Sequence, residues 1–361
     1  MNVPQPGPLG DGPVSRVLKP EILIVPSTSA SSGVVSYVRE QVRALSSLGP
    51  KVAAEPGSHL AGSLSPEIEL VEVGPSAASM AAVLRRSRST VVHTHGPRPL
   101  LAARRAGVAS WRIHHLFHEL PWKTSSRGAG EALLSVGVRR ATNSPASQRS
   151  MSKLGLRIPV VLPPIVSAPD CLSRAGARER LSLPRRGLLV GVVGRLHPAK
   201  SPLLAVDAVA LWNASRRSRA EIVFVGEGPN RSAIKVRAEA KGVMTHLLGE
   251  VQNAATVLRA FDAVAMPSPQ ETFGLVMAEA ALAGVPIAAV ASPGASWILE
   301  GSDLLRLASP EAFELAAALE RALDCDANNL ARLTQHVADR FGDTSAEQHL
   351  GYFEGALEEG R

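Results

Sequence analysis

The sequence predicts an α/β protein of two domains, each a parallel sheet wrapped by helices, on three observations. Short runs of Val, Ile, Leu and Ala alternate with helical segments along the chain. Those runs lack polar alternation, as strands buried on both faces require. The rhythm also breaks at a Pro-rich stretch, IPVVLPPIVSAPD, and then restarts. A length of 361 residues suits two domains of ~100–200 residues each. A hydrophobic content of 45% is enough to bury a core in each.

In chain order, EILIVP is the first strand and VVSYVREQVRALSSLG the first helix. Strands KVAAE and IELVEV follow, then the helix SAASMAAVLRRS, the strand TVVHTH, the helix PLLAARRAGVA and the strand RIHHLF. After the break, LLVGVVG, EIVFVG, THLLG, DAVAMP and PIAAVA read as strands separated by helices such as SPLLAVDAVALWNAS. The expected division is a flexible tail over 1–18, a first domain over 19–168, and a second over 169–340 whose rhythm resumes near Arg174. The last segment, 341–361, reads as a helix that packs back on the first domain.

A net charge of +7 and a pI near 9.9 suit an anionic partner: nucleic acid, an anionic membrane face or a phosphorylated substrate. Nucleic acid is set aside, because no helix-turn-helix, aromatic platform or zinc module accompanies the charge. Arg85, Arg86, Arg88, Arg98, Arg104, Arg105 and Arg112 cluster in the first domain. Solvated helix faces in an Arg-rich chain are the favoured reading, and peripheral contact with an anionic membrane is the alternative. Cys171 and Cys325 are far apart and without metal-ligand spacing, which fits a reduced interior. MNVPQPGPLGDGP lacks the apolar core of a signal peptide, and no run approaches the ~18 apolar residues of a spanning helix. The expected location is therefore cytoplasmic, at most peripheral at the inner membrane face.

The stretch PSPQETFGLVMAEAALAGVPI holds the first candidate site. DAVAMPS reads as a buried strand, QET as the loop at its carboxyl end, and FGLVMAEAALAG as a helix closed by Gly284. The amides of Phe273, Gly274 and Leu275 would point out of the helix start, where the dipole favours phosphate. Glu279, one turn beyond Leu275, could accept hydrogen bonds from a ribose diol, and Glu271 could reach another part of the same ligand. The plain alternative is that Glu271 complements the helix dipole and Glu279 is solvated. LLVGVVGRLHPAKSPLL adds Gly194 at a strand end, then Arg195 and Lys200, two cations that suit a diphosphate and its departing charge. In EIVFVGEGPN, the turn Gly226-Glu227-Gly228-Pro229 would let a ring pass close to the backbone.

With these pieces the chain resembles the GT-B-fold retaining glycosyltransferases of family 4 over nearly its whole length. The resemblance rests on Glu-x7-Glu at Glu271 and Glu279, the GRL-x3-K segment, VGEGP, DAVAMPS and, in the first half, HTHG. It implies two Rossmann-like domains facing across a cleft, and sugar transfer from a UDP- or GDP-sugar to a hydroxyl of a small metabolite or lipid. It also implies that Glu271 contacts donor sugar hydroxyls, Glu279 the ribose, and Arg195 and Lys200 the diphosphate. The amides of Phe273, Gly274 and Leu275 would meet the phosphate and sugar, with Gly194 and Glu227 lining the nucleotide. In the first domain, the resemblance puts Gly33 in the glycine-containing loop after the first strand and His118 near the sugar, the alternative for His118 being a satisfied histidine in a run that also holds His114 and His115; His93 and His95 would pack or orient the cleft.

Three departures stand out: Ser32 for a usual second glycine, Ser201 for the glycine after Lys200, and PPIV for an Asn-Gly-containing linker. Asp324-Cys325-Asp326 matches the Asp-x-Asp pattern that holds a divalent cation in another glycosyltransferase fold. Its place between two helices favours a turn role, so no metal and no cofactor beyond the donor are expected. The alternatives to transfer are a nucleotide-sugar 2-epimerase of the same architecture and a non-catalytic sugar-nucleotide-binding protein.

Overall fold

The computed structural model describes residues 21–27, 32–118, 126–216 and 219–359. β1 (Ile22–Pro26), β2 (Lys51–Ala54), β3 (Leu70–Glu72), β4 (Val91–His95), β5 (Ile113–Phe117), β6 (Arg139–Thr142) and β7 (Val160–Val161) form one parallel sheet in the order β3-β2-β1-β4-β5-β6-β7. β8 (Leu188–Val193), β9 (Ala220–Val225), β10 (Thr245–Leu247), β11 (Ala263–Met266) and β12 (Ile287–Ala289) form a second, ordered β10-β9-β8-β11-β12. The order reverses between β1 and β4 and again between β8 and β11. Ligands of open parallel sheets bind outside the carboxyl ends of the strands at such reversals.

Helices α1 (Ser32–Ala44), α2 (His59–Ser63), α3 (Ala77–Leu84), α4 (Pro97–Arg105), α5 (Ser126–Leu134) and α6 (Pro145–Lys153) accompany the first sheet. The second carries α7 (Arg174–Arg180), α8 (Pro202–Ala214), α9 (Arg231–Lys241), α10 (Leu275–Leu282), α11 (Pro293–Ile298), α12 (Ala312–Leu323) and α13 (Ala327–Phe341), and α14 (Asp343–Glu359) ends the described chain.

Both faces of each sheet are covered, which is why the strands are apolar throughout. Ile22, Ile24, Val52 and Val91 pack on Val35, Val38 and Val42 of α1 and on Phe353 and Leu357 of α14. Their neighbours Leu23, Val25, Val92 and Ile113 point the other way, onto α3 and α4. In the second sheet, Val190, Val192, Ile222 and Phe224 meet α8 and α12, while Leu189, Val223 and Val264 meet α10 and α13. A buried arginine braces that sheet at its amino edge: Arg178 donates to Ala260 O at 2.8 Å and pairs with Asp262 at 2.8 Å.

The chain crosses between the sheets twice. On the way out, Leu162 O accepts from Tyr37 Oη at 2.9 Å and Ser167 Oγ donates to Glu40 at 2.7 Å, so α1 grips the linker. On the way back, α14 leaves α13 and lays Phe353 and Leu357 into the core of the first sheet. Among the described residues, no helix is long and apolar enough to cross a membrane.

Candidate active site

At the carboxyl edge of the second sheet, the loops after β8 and β9 lie backbone against backbone. Gly194 N donates to Val225 O at 2.9 Å, Leu196 N to Glu227 O at 2.9 Å, and Asn230 N to Leu196 O at 2.8 Å. A Cβ on Gly226 would stand 2.1 Å from Gly194 O, and one on Gly228 would stand 2.5 Å from Leu196 O. Glycine is therefore required by this contact at both positions. The arrangement leaves Arg195 exposed at the rim, and Glu227, half-exposed, paired with Arg231 at 2.8 Å.

After Arg195 the chain makes a 3-10 turn, Pro198–Lys200, and enters α8 through Ser201 in the left-handed region (φ 50°, ψ 43°). That conformation explains why glycine suits this position and why Ser201 holds it under local strain. Ser268 Oγ, just beyond β11, donates to Ala199 O at 3.1 Å and ties this turn to the neighbouring loop. Lys200 Nζ then reaches both carboxylate oxygens of Glu271, each at 2.7 Å. The structure thus brings Lys200 and Glu271 into direct contact.

The loop that carries Glu271 is anchored on both sides. Phe273 is buried edge-on against Trp297 and Phe341, at 5.6 and 5.0 Å. Glu271 O accepts from Gly294 N at 2.8 Å, where a Cβ would lie 2.3 Å from Phe273 O. Gly274 caps α10 in the left-handed region (φ 90°), and its carbonyl accepts from Met277 N at 2.8 Å. Leu275 and Val276 open the helix, where backbone N–H groups and the dipole favour an anion.

Glu279 is half-buried one turn along α10. Burial pushes its carboxyl up to about 7, with Arg39 drawing it down and Glu40 raising it. Both influences come from α1, so α1 of the first domain faces α10 across the cleft. Glu40 is itself buried and held by Arg39 Nε at 3.0 Å, Arg43 at 3.5 Å and the linker hydroxyl of Ser167. Sequence reasoning missed Arg39 and Glu40, which look like ordinary charged positions on an amphipathic helix.

On the first domain's side, His118 follows β5 and stacks on His95 of β4, centroids 5.0 Å apart, with Nε2 2.8 Å from His95 Nδ1. Tyr37 of α1 meets His118 edge-on at 5.0 Å. Burial and neighbouring His115 push His118 down to about 3, so its imidazole is neutral at pH 7.

A buried network lies beneath it. His93 Nδ1 donates to His114 O at 3.1 Å, and His349 Nε2 of α14 donates to Pro163 O at 2.8 Å. Gln41 Nε2 donates to the remaining nitrogens of both, at 3.3 and 3.1 Å. His95 Nε2 is buried without a partner. An orphaned acceptor nitrogen is tolerated better than an orphaned N–H, so the proton of His95 belongs on Nδ1, donating to His118 Nε2. His118 then carries its own proton on Nδ1.

Gly33 is the second residue of α1, helical and exposed, instead of belonging to the loop; residues 28–31 before it lie outside the described residues. Asp324 ends α12, and Asp326 caps α13 by accepting from Asn329 N at 2.8 Å, a turn role away from the loops above. Among the described residues, no group of three His, Cys, Asp or Glu is placed to hold a metal ion.

Two parallel α/β sheets, with cations, carboxylates and a helix N-terminus at the strand-order reversal of the second, make up the GT-B fold. Residues 187–325 match the family model described as "Glycosyl transferases group 1". The chain is 29% identical to a D-inositol 3-phosphate glycosyltransferase of Stackebrandtia nassauensis, over 74% of this chain and 68% of the relative. The enzyme of the same name in Thermobispora bispora is 26% identical over 90% of both chains. Sucrose-phosphate synthase from Thermosynechococcus elongatus superimposes with a TM-score of 0.75 at 18% identity, covering 94% of this chain and 100% of that one. Anabaena Alr3699/HepE in complex with UDP-glucose gives 0.76 at 19% identity, covering 93% and 99%. At these identities the two structures establish the shared fold.

Proposed function

We propose that the protein transfers a sugar, with retention, from a nucleoside diphosphate sugar to a hydroxyl of a small polar metabolite. The observation that carries this reading is the convergence of Lys200, Glu271, Glu279 and the N-terminus of α10 at the reversal between β8 and β11, with Arg195 at the rim. Arg195, Lys200 and the amides of Phe273, Gly274 and Leu275 bind the diphosphate, Glu279 the ribose and Glu271 the sugar, with Gly194 and Glu227 lining the nucleotide. His118 and Gly33 approach from the first domain. The similarity to D-inositol 3-phosphate glycosyltransferases favours a small acceptor over a lipid, and the UDP-glucose-bound neighbour favours a uridine donor.

No metal is assigned a part, since side-chain cations and a helix terminus serve the leaving group. Both cysteines are free, which supports a reducing, cytoplasmic setting. The test is a panel of UDP-, GDP- and ADP-sugars offered with polyols and polyol phosphates, scored by acceptor-dependent nucleotide release. The product's anomeric configuration is then read by NMR. Release that needs no acceptor, a product epimerised at C2, or an inverted anomer would contradict the reading.

A further inference from the structure

Topology sorts the first domain's arginines by edge. In a sheet whose strands all run one way, each strand starts where the preceding helix ends. Arg85, Arg86 and Arg88 follow α3, Arg104 and Arg105 end α4, Arg112 immediately precedes β5, and Arg139 opens β6. All seven therefore lie at the amino edge, opposite His95 and His118 at the carboxyl edge. Residues 85–157 hold 14 Lys and Arg against two Asp and Glu.

An apolar centre lies among these charges. Trp111, Leu133 and Val136 are 53%, 75% and 60% exposed. Arg104 holds them together: it donates to Ser110 Oγ at 2.7 Å, to Leu134 O at 3.0 Å and to Val136 O. Arg112 donates to Ser89 O at 3.0 Å, which draws the segment bearing Arg86 and Arg88 alongside. Arg85, Arg86, Arg88 and Arg105 are exposed around this centre.

We propose that the amino edge of the first domain docks on an anionic phospholipid surface. Trp111, Leu133 and Val136 enter the boundary between headgroups and acyl chains, and the arginine rim meets the anionic headgroups. A ring that is apolar in body and polar at its N–H suits that boundary better than bulk water. The acidic residues of this edge are paired elsewhere, Glu21 and Glu69 with Lys51 and Glu359 with Arg139, and the dense positive charge left around Trp111 selects lipid over a typical protein partner, whose interface core is poor in charge. The docked enzyme turns its cleft toward the aqueous side, which suits a water-soluble acceptor; that last step rests on the function proposed above.

The test is sedimentation of the full chain with vesicles of phosphatidylglycerol and phosphatidylcholine, against vesicles of phosphatidylcholine alone, at low and high salt. Binding should need the anionic lipid and weaken with salt. Arg85→Gln, Arg86→Gln and Arg88→Gln together should lower partitioning about 100-fold, at about fivefold per arginine. Trp111→Ser with Leu133→Ser should lower it several-fold with the salt dependence kept. Affinity of all variants for UDP or GDP should match the parent, which shows an intact fold and separates this surface from the cleft. Equal binding to neutral vesicles, no binding to anionic ones, or arginine variants that sediment like the parent would overturn the proposal. So would tighter binding to duplex DNA than to vesicles, or a dimer that the Trp111 and Leu133 changes dissolve.

Discussion

Replacing Glu271 by Gln should tighten the binding of the free nucleoside diphosphate while crippling transfer. Lys200 Nζ sits 2.7 Å from both Glu271 oxygens, with side-chain exposures of 35% and 16%. A diphosphate that recruits Lys200 must draw it from that carboxylate. An exposed pair is worth ~0–1 kcal/mol and a fully buried one several-fold more. For this partly screened, bidentate pair about 1 kcal/mol is a fair figure, or roughly fivefold in Kd. Glu271→Gln keeps the shape and removes the competing charge, so UDP or GDP should bind about fivefold more tightly by calorimetry. Turnover should fall by ~10²–10³, as when a group acting on the transition state is lost. Weaker nucleotide binding in Glu271→Gln would show that Glu271 positions Lys200 for phosphate instead of holding it back.

Four further outcomes follow from the same geometry. Glu279 has its folded-state carboxyl raised to about 7 from 4.5, so its stabilising contribution is full below about pH 4.5 and lost as pH rises through 7. Glu279→Gln should flatten stability across that window in chemical denaturation, and it should weaken nucleotide binding most above pH 7, where the parent carboxylate is ionised. His114, His118 and His349 are lowered to about 3, about 3 and about 4, so the stability they contribute is present above about pH 6.5 and lost as pH falls toward 4; circular dichroism should follow the acid unfolding, and His349→Gln should weaken α14 docking at neutral pH. Gly226→Ala puts a Cβ 2.1 Å from Gly194 O, so it should part the two loops and raise the Kd for nucleotide at least tenfold, with a small effect on the acceptor KM. His95→Phe keeps the stack but removes the donor to His118; kcat should fall ~10-fold with donor affinity unchanged, His95→Gln should restore part of it, and equal rates in all three would exclude a positioning role.

The alternating rhythm and the residues at the ends of β8 and β11 were legible because both are local signals. A strand's apolar run and the loop that follows it sit within ten residues of each other, and Arg195, Lys200, Glu271 and Glu279 fall in such loops or in the first turns beyond them. What joined distant segments was not legible. Gln41 and His349 are 308 positions apart, and no periodicity in α1 or α14 indicates that their polar residues turn inward to one another. Arg39 and Glu40 read as the wet face of an amphipathic helix until the two domains are placed face to face. The arginines of α3 and α4 invited a reading by helix face, whereas the strand directions sort them by sheet edge. The resemblance puts Gly33 in the loop after the first strand, whereas the helix begins one residue before it.

The two sides of the cleft differ in charge, and on the proposed function that difference constrains where the proton goes. Lys200, Arg195 and the start of α10 give the second domain's side its cations and amides. The first domain's side presents His118, which burial keeps neutral at about 3. So weak a base cannot take the acceptor proton at neutral pH, since an effective general base has a pKa near the working pH. The same neutrality bars His118 from sharing the leaving charge as a cation. Its Nδ1–H can still orient a sugar or acceptor oxygen, fixed in direction by the hydrogen bond from His95. Stabilisation of the departing diphosphate then falls to Arg195, Lys200 and α10, and the acceptor proton is left to the departing phosphate oxygen itself. That assignment requires kcat for the parent to show no ionisation near 6.5 traceable to His118, and His118→Asn, which keeps a hydrogen-bonding group but cannot titrate, to retain the parent's pH profile above pH 5 at a lower rate.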